Sequence, residues 1–377
     1  MERRRLGNLD VSPSLLGMGC MRLPLNDDGT VNESLGGEMV KAAIGGGINY
    51  FDTSYVYNDG QSEKFIGRAL SDYPRKSFYI ATKLPPWKVT LAKDAERIFN
   101  EQLSRLRMNY IDFYLIQALD RKRWADMLRL KIPEWCEGLK KAGKIRYFGF
   151  SFHDTFDGFK EIIGAREWDF CQIQLNYTDT GTEQGGLPAY ELCEKKGVPL
   201  IVMEPVKGGS LSKLPSDLNG FFTDINPMAS ISSWAMRWVI GLPGVKIILS
   251  GMNSMEQIRD NLSTFNNYVP LSEREKAAIE AVKSARAKRS NNGCTYCGYC
   301  EPCPKGVKIS RVFRIWNDYA VYENFDVTKW EWLYGTQQSE RPDCCVGCGD
   351  CARKCSQKIN TVDDLKRAQK ELDDLCK

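Results

Sequence analysis

Two groups of residues in this 377-residue chain have the types and spacing to do chemistry. The first is sulfur. Ten of the fourteen cysteines fall between Cys294 and Cys376, and eight of these form two runs. One is Cys294, Cys297, Cys300 and Cys303, followed by Pro304; the other is Cys345, Cys348, Cys351 and Cys355. Pairs of cysteines two residues apart can hold zinc, but four thiolates at three-residue intervals suit the four corners of a 4Fe–4S cubane better. The second run has the full ligand spacing of such a site, and the first is one residue shorter before its Cys-Pro. Cys344 and Cys376 are left over, because a register through Cys344 spoils the spacing.

The second group is made for moving protons. Asp52 and Lys83 end two apolar runs, and Tyr57 lies just past the first. A phenol beside an ammonium is a sensible acid: the cation favours phenolate and is expected to lower the tyrosine from its usual ~10. The aspartate would keep the lysine charged and oriented. Gln117, Ser151, Gln172 or Gln174, and Glu204 end further runs of the same kind. The single histidine, His153, excludes most imidazole-based triads and metal sites. It lies two residues past Ser151, so it either faces the substrate or is a loop residue bonded to backbone.

These side chains need a scaffold, and the chain between residues 48 and 282 supplies one. Apolar, β-branched runs occur at 48–54, 78–84, 111–117, 147–152, 170–177, 199–205 and 245–251. Apolar on nearly every position, they read as strands buried on both faces. Helical periods separate them; Ala95, Ile98, Phe99, Leu103 and Leu106 recur at three- and four-residue intervals. Repeated strand–helix units predict a parallel barrel, with an eighth strand either near 221–231 or within the first fifty residues. No Gly-x-Gly-x-x-Gly turn follows the first run, which argues against an open dinucleotide-binding sheet. Residues 3–19 contain a Gly-Asn turn and predict a hairpin at one end of the barrel. Ser272 and Glu275 form a capping box that opens a helix to about Ser290. Asn291-Asn292-Gly293 breaks it, so the expected domains are 1–290 and 291–377.

Composition narrows the field. The length fits a barrel of roughly 250 residues plus an appendage. The hydrophobic fraction of 42% and charged fraction of 27% are those of a globular protein. A net charge of +4 from 52 basic and 48 acidic side chains is no nucleic-acid footprint. No apolar run approaches the ~18 residues of a membrane span, and the start lacks a signal peptide. The expectation is a cytoplasmic protein with neither nucleic-acid nor membrane partners, whose clustered cysteines bind metal rather than form disulfides.

The stretches 6–24, 50–70, 80–84, 111–119, 143–152, 171–177, 203–209 and 250–262 resemble the aldo-keto reductase family in order and spacing. The resemblance covers about residues 1–285. It implies a (β/α)8 barrel that binds NADP or NAD in extended form without a Rossmann fold. It also implies Asp52, Tyr57 as general acid, and Lys83 as catalytic residues, with Gln117 where the family usually has histidine. For the cofactor it implies Ser151 and Gln172 at the carboxamide, with Phe152 following Ser151 where the family has asparagine. Met203 stands where a ring usually stacks on nicotinamide. Pro205, Val206, Gly208 and Gly209 resemble the loop over the pyrophosphate, with Met21 and Arg22 after the first strand. Gly251, Met252, Asn253, Gln257 and Asn261 stand where a Lys and Arg clamp grips a 2′-phosphate, and Arg259 is the nearest cation.

The tail resembles the two-cluster ferredoxin domain fused to some microbial aldo-keto reductases. In that arrangement Cys303 joins Cys345, Cys348 and Cys351, while Cys355 joins Cys294, Cys297 and Cys300. The Trp- and Tyr-rich segment 304–344 would pack the clusters. The expected function is hydride transfer from NAD(P)H to a carbonyl or conjugated enone, with an appended two-cluster electron-transfer module. Hydride moves two electrons and each cluster one, which points either to an external ferredoxin or a flavoprotein as partner or to clusters that simply staple the tail. The competing expectation is a redox-sensing, cofactor-binding regulatory subunit with little turnover. Loops 120–132 and 178–188 are expected to choose the substrate.

Overall fold

The computed structural model describes residues 1–7, 9–182, 185–294, 300–355 and 359–377. They form two compact units, 1–208 with 233–271, and 209–232 with 272–377. The first unit carries eight parallel strands: β1 (Leu16–Gly19), β2 (Tyr50–Asp52), β3 (Tyr79–Leu84), β4 (Ile111–Leu119), β5 (Ile145–Phe152), β6 (Phe170–Gln174), β7 (Leu200–Met203) and β8 (Val245–Gly251). They pair in sequence order, and β1 closes the barrel on β8 with Leu16 opposite Ile248. The eighth strand is therefore β1, and the alternative near 221–231 is not a strand; residues Ser216–Thr223 are helical. Among the described residues the predicted hairpin is limited to one antiparallel bridge, Arg3 with Ser14, and Asn8 of its turn lies outside them; Leu6 and Val11 are buried among the inward-facing residues.

Alternation along each strand divides the core. Tyr50, Ala81, Phe113, Phe170, Ile201 and Ile247 point inward and fill the barrel. Phe113 is the hub, with ring centroids of Tyr50, Tyr147 and Phe170 all 5.1 Å away. The intervening residues point outward, which is why the strands read as apolar on both faces. They meet α1 (Glu33–Gly45), α2 (Gln61–Ala69), α3 (Ala92–Leu106), α4 (Arg121–Arg129), α5 (Ile132–Lys141), α6 (Phe156–Gly164) and α7 (Gly186–Lys196).

Such crowding leaves one inward position on β5 no room for a side chain. A Cβ on Gly149 would lie 2.5 Å from the Phe170 carbonyl oxygen and 2.8 Å from its ring. Gly149→Ala is expected to destabilise the protein by about 1–3 kcal/mol, because backbone cannot yield as a flexible side chain can. A lower denaturant midpoint at unchanged slope would show it; an unchanged midpoint would mean that β5 and β6 separate freely.

Further along the chain are α8 (Ser216–Thr223), α9 (Ile231–Ile240), α10 (Met255–Asn266), α11 (Glu273–Arg289), α12 (Ile309–Tyr322), α13 (Phe325–Leu333), α14 (Asp350–Lys354) and α15 (Thr361–Cys376). The expected box opens α11: the Ser272 amide donates to Glu275 Oε2 at 2.8 Å, and Glu275 returns its amide to Ser272 Oγ. In the second unit α11 pairs Arg289 with Asp217 of α8. Val312, Phe313, Trp316, Trp332, Leu365 and Leu372 build this unit's core, with Cys351 and Cys376 buried among them. The indole N–H groups of Trp316 and Trp332 donate to Glu371 at 2.6 Å and Asp373 at 2.9 Å, so neither is buried unsatisfied. Among the described residues no helix is long and apolar enough to cross a membrane.

Candidate active site

The inward alternation that fills the barrel ends, at the carboxyl rim, on polar residues. Two positions beyond Tyr50, Ala81, Leu115, Gly149, Phe170 and Ile201 stand Asp52, Lys83, Gln117, Ser151, Gln172 and Met203. This is the face on which parallel barrels carry their chemistry.

Lys83 is the centre. Its ammonium lies 2.5 Å from Asp52 Oδ1, 2.8 Å from the Thr53 carbonyl and 3.2 Å from Tyr57 Oη, so its three protons are all directed. Only 1% of Lys83 is exposed. Burial works against its charge, yet Asp52 and Tyr57 prevail and hold its pKa above the usual lysine value. Asp52 is raised by burial against the pull of Lys83, and its Oδ2 has no partner among the described residues. Tyr57 corrects the sequence-based expectation. Its pKa is raised, not lowered, because burial outweighs the attraction of Lys83, and the Asp52 and Glu204 charges add to the rise. The phenol is thus held protonated, the state a donor requires. The turn that delivers it is strained, with Asn58 and Asp59 at φ 49° and 53°.

Behind this group lies a polar layer that sequence reasoning missed. Glu63 of α2 is fully buried and accepts from Thr82 Oγ1 at 2.6 Å and from Gln102 Nε2 at 3.0 Å, and it pairs with Arg105. Gln102 also lies 3.0 Å from the Lys83 carbonyl, so the layer anchors the strand end that carries the ammonium. No spacing signal announces it, because its members are spread over α2, β3 and α3.

Gln117 is held from two sides. Its Oε1 accepts from Ser54 Oγ at 2.6 Å. The next residue, Ala118, adopts φ 49° where the β4–β5 register shifts. Its amide donates to Ser151 Oγ at 2.8 Å, and its carbonyl accepts from Arg123 Nη1 at 2.6 Å. A non-glycine residue in this region of φ persists only where neighbours impose it. His153 is exposed, and its backbone N–H donates to the Leu119 carbonyl.

The cofactor candidates divide. Gln172 is buried, and its Oε1 has no donor among the described residues. Gln174 is already engaged, its amide on Asp179 at 2.7 Å beside Asn176 and Lys207. Met203 is half-buried, Pro205 buried and Val206 half-buried past β7. Gly208 and Gly209 have φ of 64° and 102°, open to glycine. A Cβ on Gly208 would lie 3.1 Å from Arg22 Nη2, and one on Gly251 3.3 Å from Arg22 Cδ. Arg22 therefore runs between these two glycines, with Met21 exposed beside it. The segment after β8 is partly structural. Met252 is in the core, Gln257 Oε1 receives the Asn253 amide at 2.8 Å, and Asn261 donates to Ser250 Oγ at 2.8 Å. Arg259 is exposed.

In the second unit Cys300, Cys303, Cys345, Cys348 and Cys351 line one hollow, walled on its apolar side by Val307 and Ile309. The Gly347 amide points at Cys345 Sγ, 3.4 Å away. The described cysteines are free thiols. Among the described residues no three His, Cys, Asp or Glu side chains are gathered closely enough to grip a metal ion. Cys294 and Cys355 are half-buried, and Cys297 lies outside the described residues.

Comparison with known proteins bears on the first 284 residues. The family model for the aldo/keto reductase family matches residues 15–284. An uncharacterized oxidoreductase, YqkF, of Bacillus subtilis is 26% identical over 312 residues, covering 74% of this chain and 96% of its own. The NADH-specific methylglyoxal reductase of Escherichia coli is 25% identical over 311 residues, covering 71% and 94%. The holo form of an aldo-keto reductase from Bacillus halodurans superposes with a TM-score of 0.63 at 25% identity, covering 74% of this chain and 96% of its own.

Proposed function

Since this chain belongs to the aldo/keto reductase family and is an NAD(P)H-dependent oxidoreductase, we propose that it reduces a small carbonyl compound or a conjugated enone. One observation carries the reading: a half-buried phenol, kept protonated, at 3.2 Å from a buried lysine that is itself paired to a buried aspartate. The residues present fit a nicotinamide cofactor. Gln172 offers a buried oxygen without a donor, suited to a carboxamide N–H, and Ser151 can donate its own proton while accepting from Ala118. Arg22 between two glycines suits a pyrophosphate; Met203, Pro205 and Val206 would line the approach. Either NADP or NAD is compatible with the segment 251–261, in which Arg259 is the single cation, set between Glu256 and Asp260. When bound, the nicotinamide supplies hydride.

The protein's residues manage the charge that results. Tyr57 Oη donates its proton to the substrate oxygen as negative charge builds there, and Lys83 stabilises the phenolate left behind. Asp52 balances the lysine, so the site does not carry an uncompensated cation through the cycle. Gln117 presents amide N–H groups, a neutral donor that cannot titrate. Paired with Tyr57, such a donor suits the enolate oxygen formed when hydride adds to a β-carbon. The wild type is therefore expected to turn over an enone faster than the matching saturated ketone, and Gln117→His to shift that ratio toward the ketone by roughly tenfold, ~1.4 kcal/mol. Steady-state rates with both substrates check this. A preference for the ketone, or a ratio unmoved by the substitution, would refute the enone assignment, and no turnover with any carbonyl would favour a regulatory role.

The tail is read as a ferredoxin-like domain, residues 291–377, holding two 4Fe–4S clusters. Cys303, Cys345, Cys348 and Cys351 would hold one cluster and Cys294, Cys297, Cys300 and Cys355 the other, as the resemblance implies. The hollow that Cys303, Cys345, Cys348 and Cys351 line is lined by Cys300 as well, which supports a shared cluster region. Bound clusters supply one-electron transfer. An external ferredoxin or a flavoprotein is the matching partner. Reduced thiolates of this number belong in a reducing compartment, which supports a cytoplasmic location.

A further inference from the structure

Ser54 is fully buried, two residues beyond Asp52. Its hydroxyl donates to Gln117 Oε1 at 2.6 Å, and its oxygen receives the Val56 amide at 3.5 Å. A hydroxyl has one proton, and here it is spent on the glutamine. With the Gln117 amide reversed, that proton would have no acceptor among the described residues, in a position closed to water, which is unfavourable. The Gln117 Nε2 protons, by contrast, meet no protein acceptor among the described residues. The backbone on which Gln117 rides is fixed separately, by the grip of Ser151 and Arg123 on Ala118.

We propose that Ser54 is a positioning residue for the reduction: it sets the Gln117 amide with its N–H groups available to the substrate oxygen, making glutamine a donor rather than an acceptor. The assignment rests on the reading of Gln117 as the second donor beside Tyr57. Without the serine, the amide can turn over about its last torsion and present its oxygen to a developing oxyanion, which repels it.

A double-mutant cycle tests this. Ser54→Ala is expected to lower kcat about tenfold with the cofactor KM unchanged. In a Gln117→Ala background the same substitution is expected to change kcat by less than about twofold, because the group it orients is gone. A readout independent of turnover is the side-chain amide resonance of Gln117 in protein labelled with 15N-glutamine, identified by its loss in Gln117→Ala. It is expected to shift in Ser54→Ala. Equal losses in both backgrounds would make Ser54 a general structural residue and overturn the proposal, as would a wild-type kcat and an unmoved resonance in Ser54→Ala while Gln117→Ala is slow. If Gln117→Ala itself turns over at the wild-type rate, the underlying reading of Gln117 fails, and the assignment of Ser54 falls with it.

Discussion

Tyr57→Phe is expected to reduce kcat by roughly 100- to 10,000-fold while leaving nicotinamide affinity within about twofold. The ring stays in place and keeps its face toward Lys83, 4.7 Å from ammonium to centroid, so the cavity is little changed. What disappears is the proton that the substrate oxygen needs when it carries negative charge, and that need exists only on the way to product. The same group fixes a pH limb. Because burial raises the Tyr57 pKa, the active protonated form persists from neutral pH through the ordinary tyrosine range, and kcat is expected to fall only above about pH 10. Had Lys83 dominated, the fall would come below that range. Cofactor titration by fluorescence and a pH–rate profile of wild type and variant measure both parts. Wild-type turnover in the variant would mean that another group donates the proton.

Anaerobically purified protein is expected to contain roughly eight iron and eight sulfide per chain, bleached by air while the barrel still binds cofactor. Cys303→Ser is expected to remove about half of that iron, since the resemblance groups it with Cys345, Cys348 and Cys351, beside which it lines the hollow together with Cys300. Iron and labile-sulfide assays, with the electron paramagnetic resonance of the reduced protein, distinguish one surviving cluster from two weakened ones. Stoichiometric zinc without sulfide would show that the cysteine runs bind a different metal.

Seven of the eight strands are legible from apolar runs, because a strand covered on both faces has nowhere to put a polar residue before its rim. β1 is harder to see: it is four residues long, and two of them are glycines packed against Leu249 and Ser250. Asp52, Tyr57 and Lys83 are legible as a group because Asp52 and Lys83 lie at the ends of neighbouring strands and Tyr57 in the turn just past the first. The direction of the Tyr57 shift is not, since it depends on how much water the fold removes, and spacing carries no measure of that. Ser54 lay inside the recognised stretch 50–70, but its role needs Gln117, sixty-three positions away, to be brought within 2.6 Å. Met252, Gln257 and Asn261 show the opposite case, in which residues placed by resemblance serve the local structure of β8 and α10.

Ala118 joins two parts of the barrel rim. Its carbonyl is tied to Arg123 of α4, the helix that fills most of the 120–132 stretch expected to be a substrate-choosing loop, while its neighbour is Gln117, the proposed donor. A segment grafted from a relative would therefore bring its own anchor, or none, to the left-handed turn that aims the amide. Engineers who exchange that segment for a new specificity should find rate changing along with selectivity, unless the arginine travels with the graft.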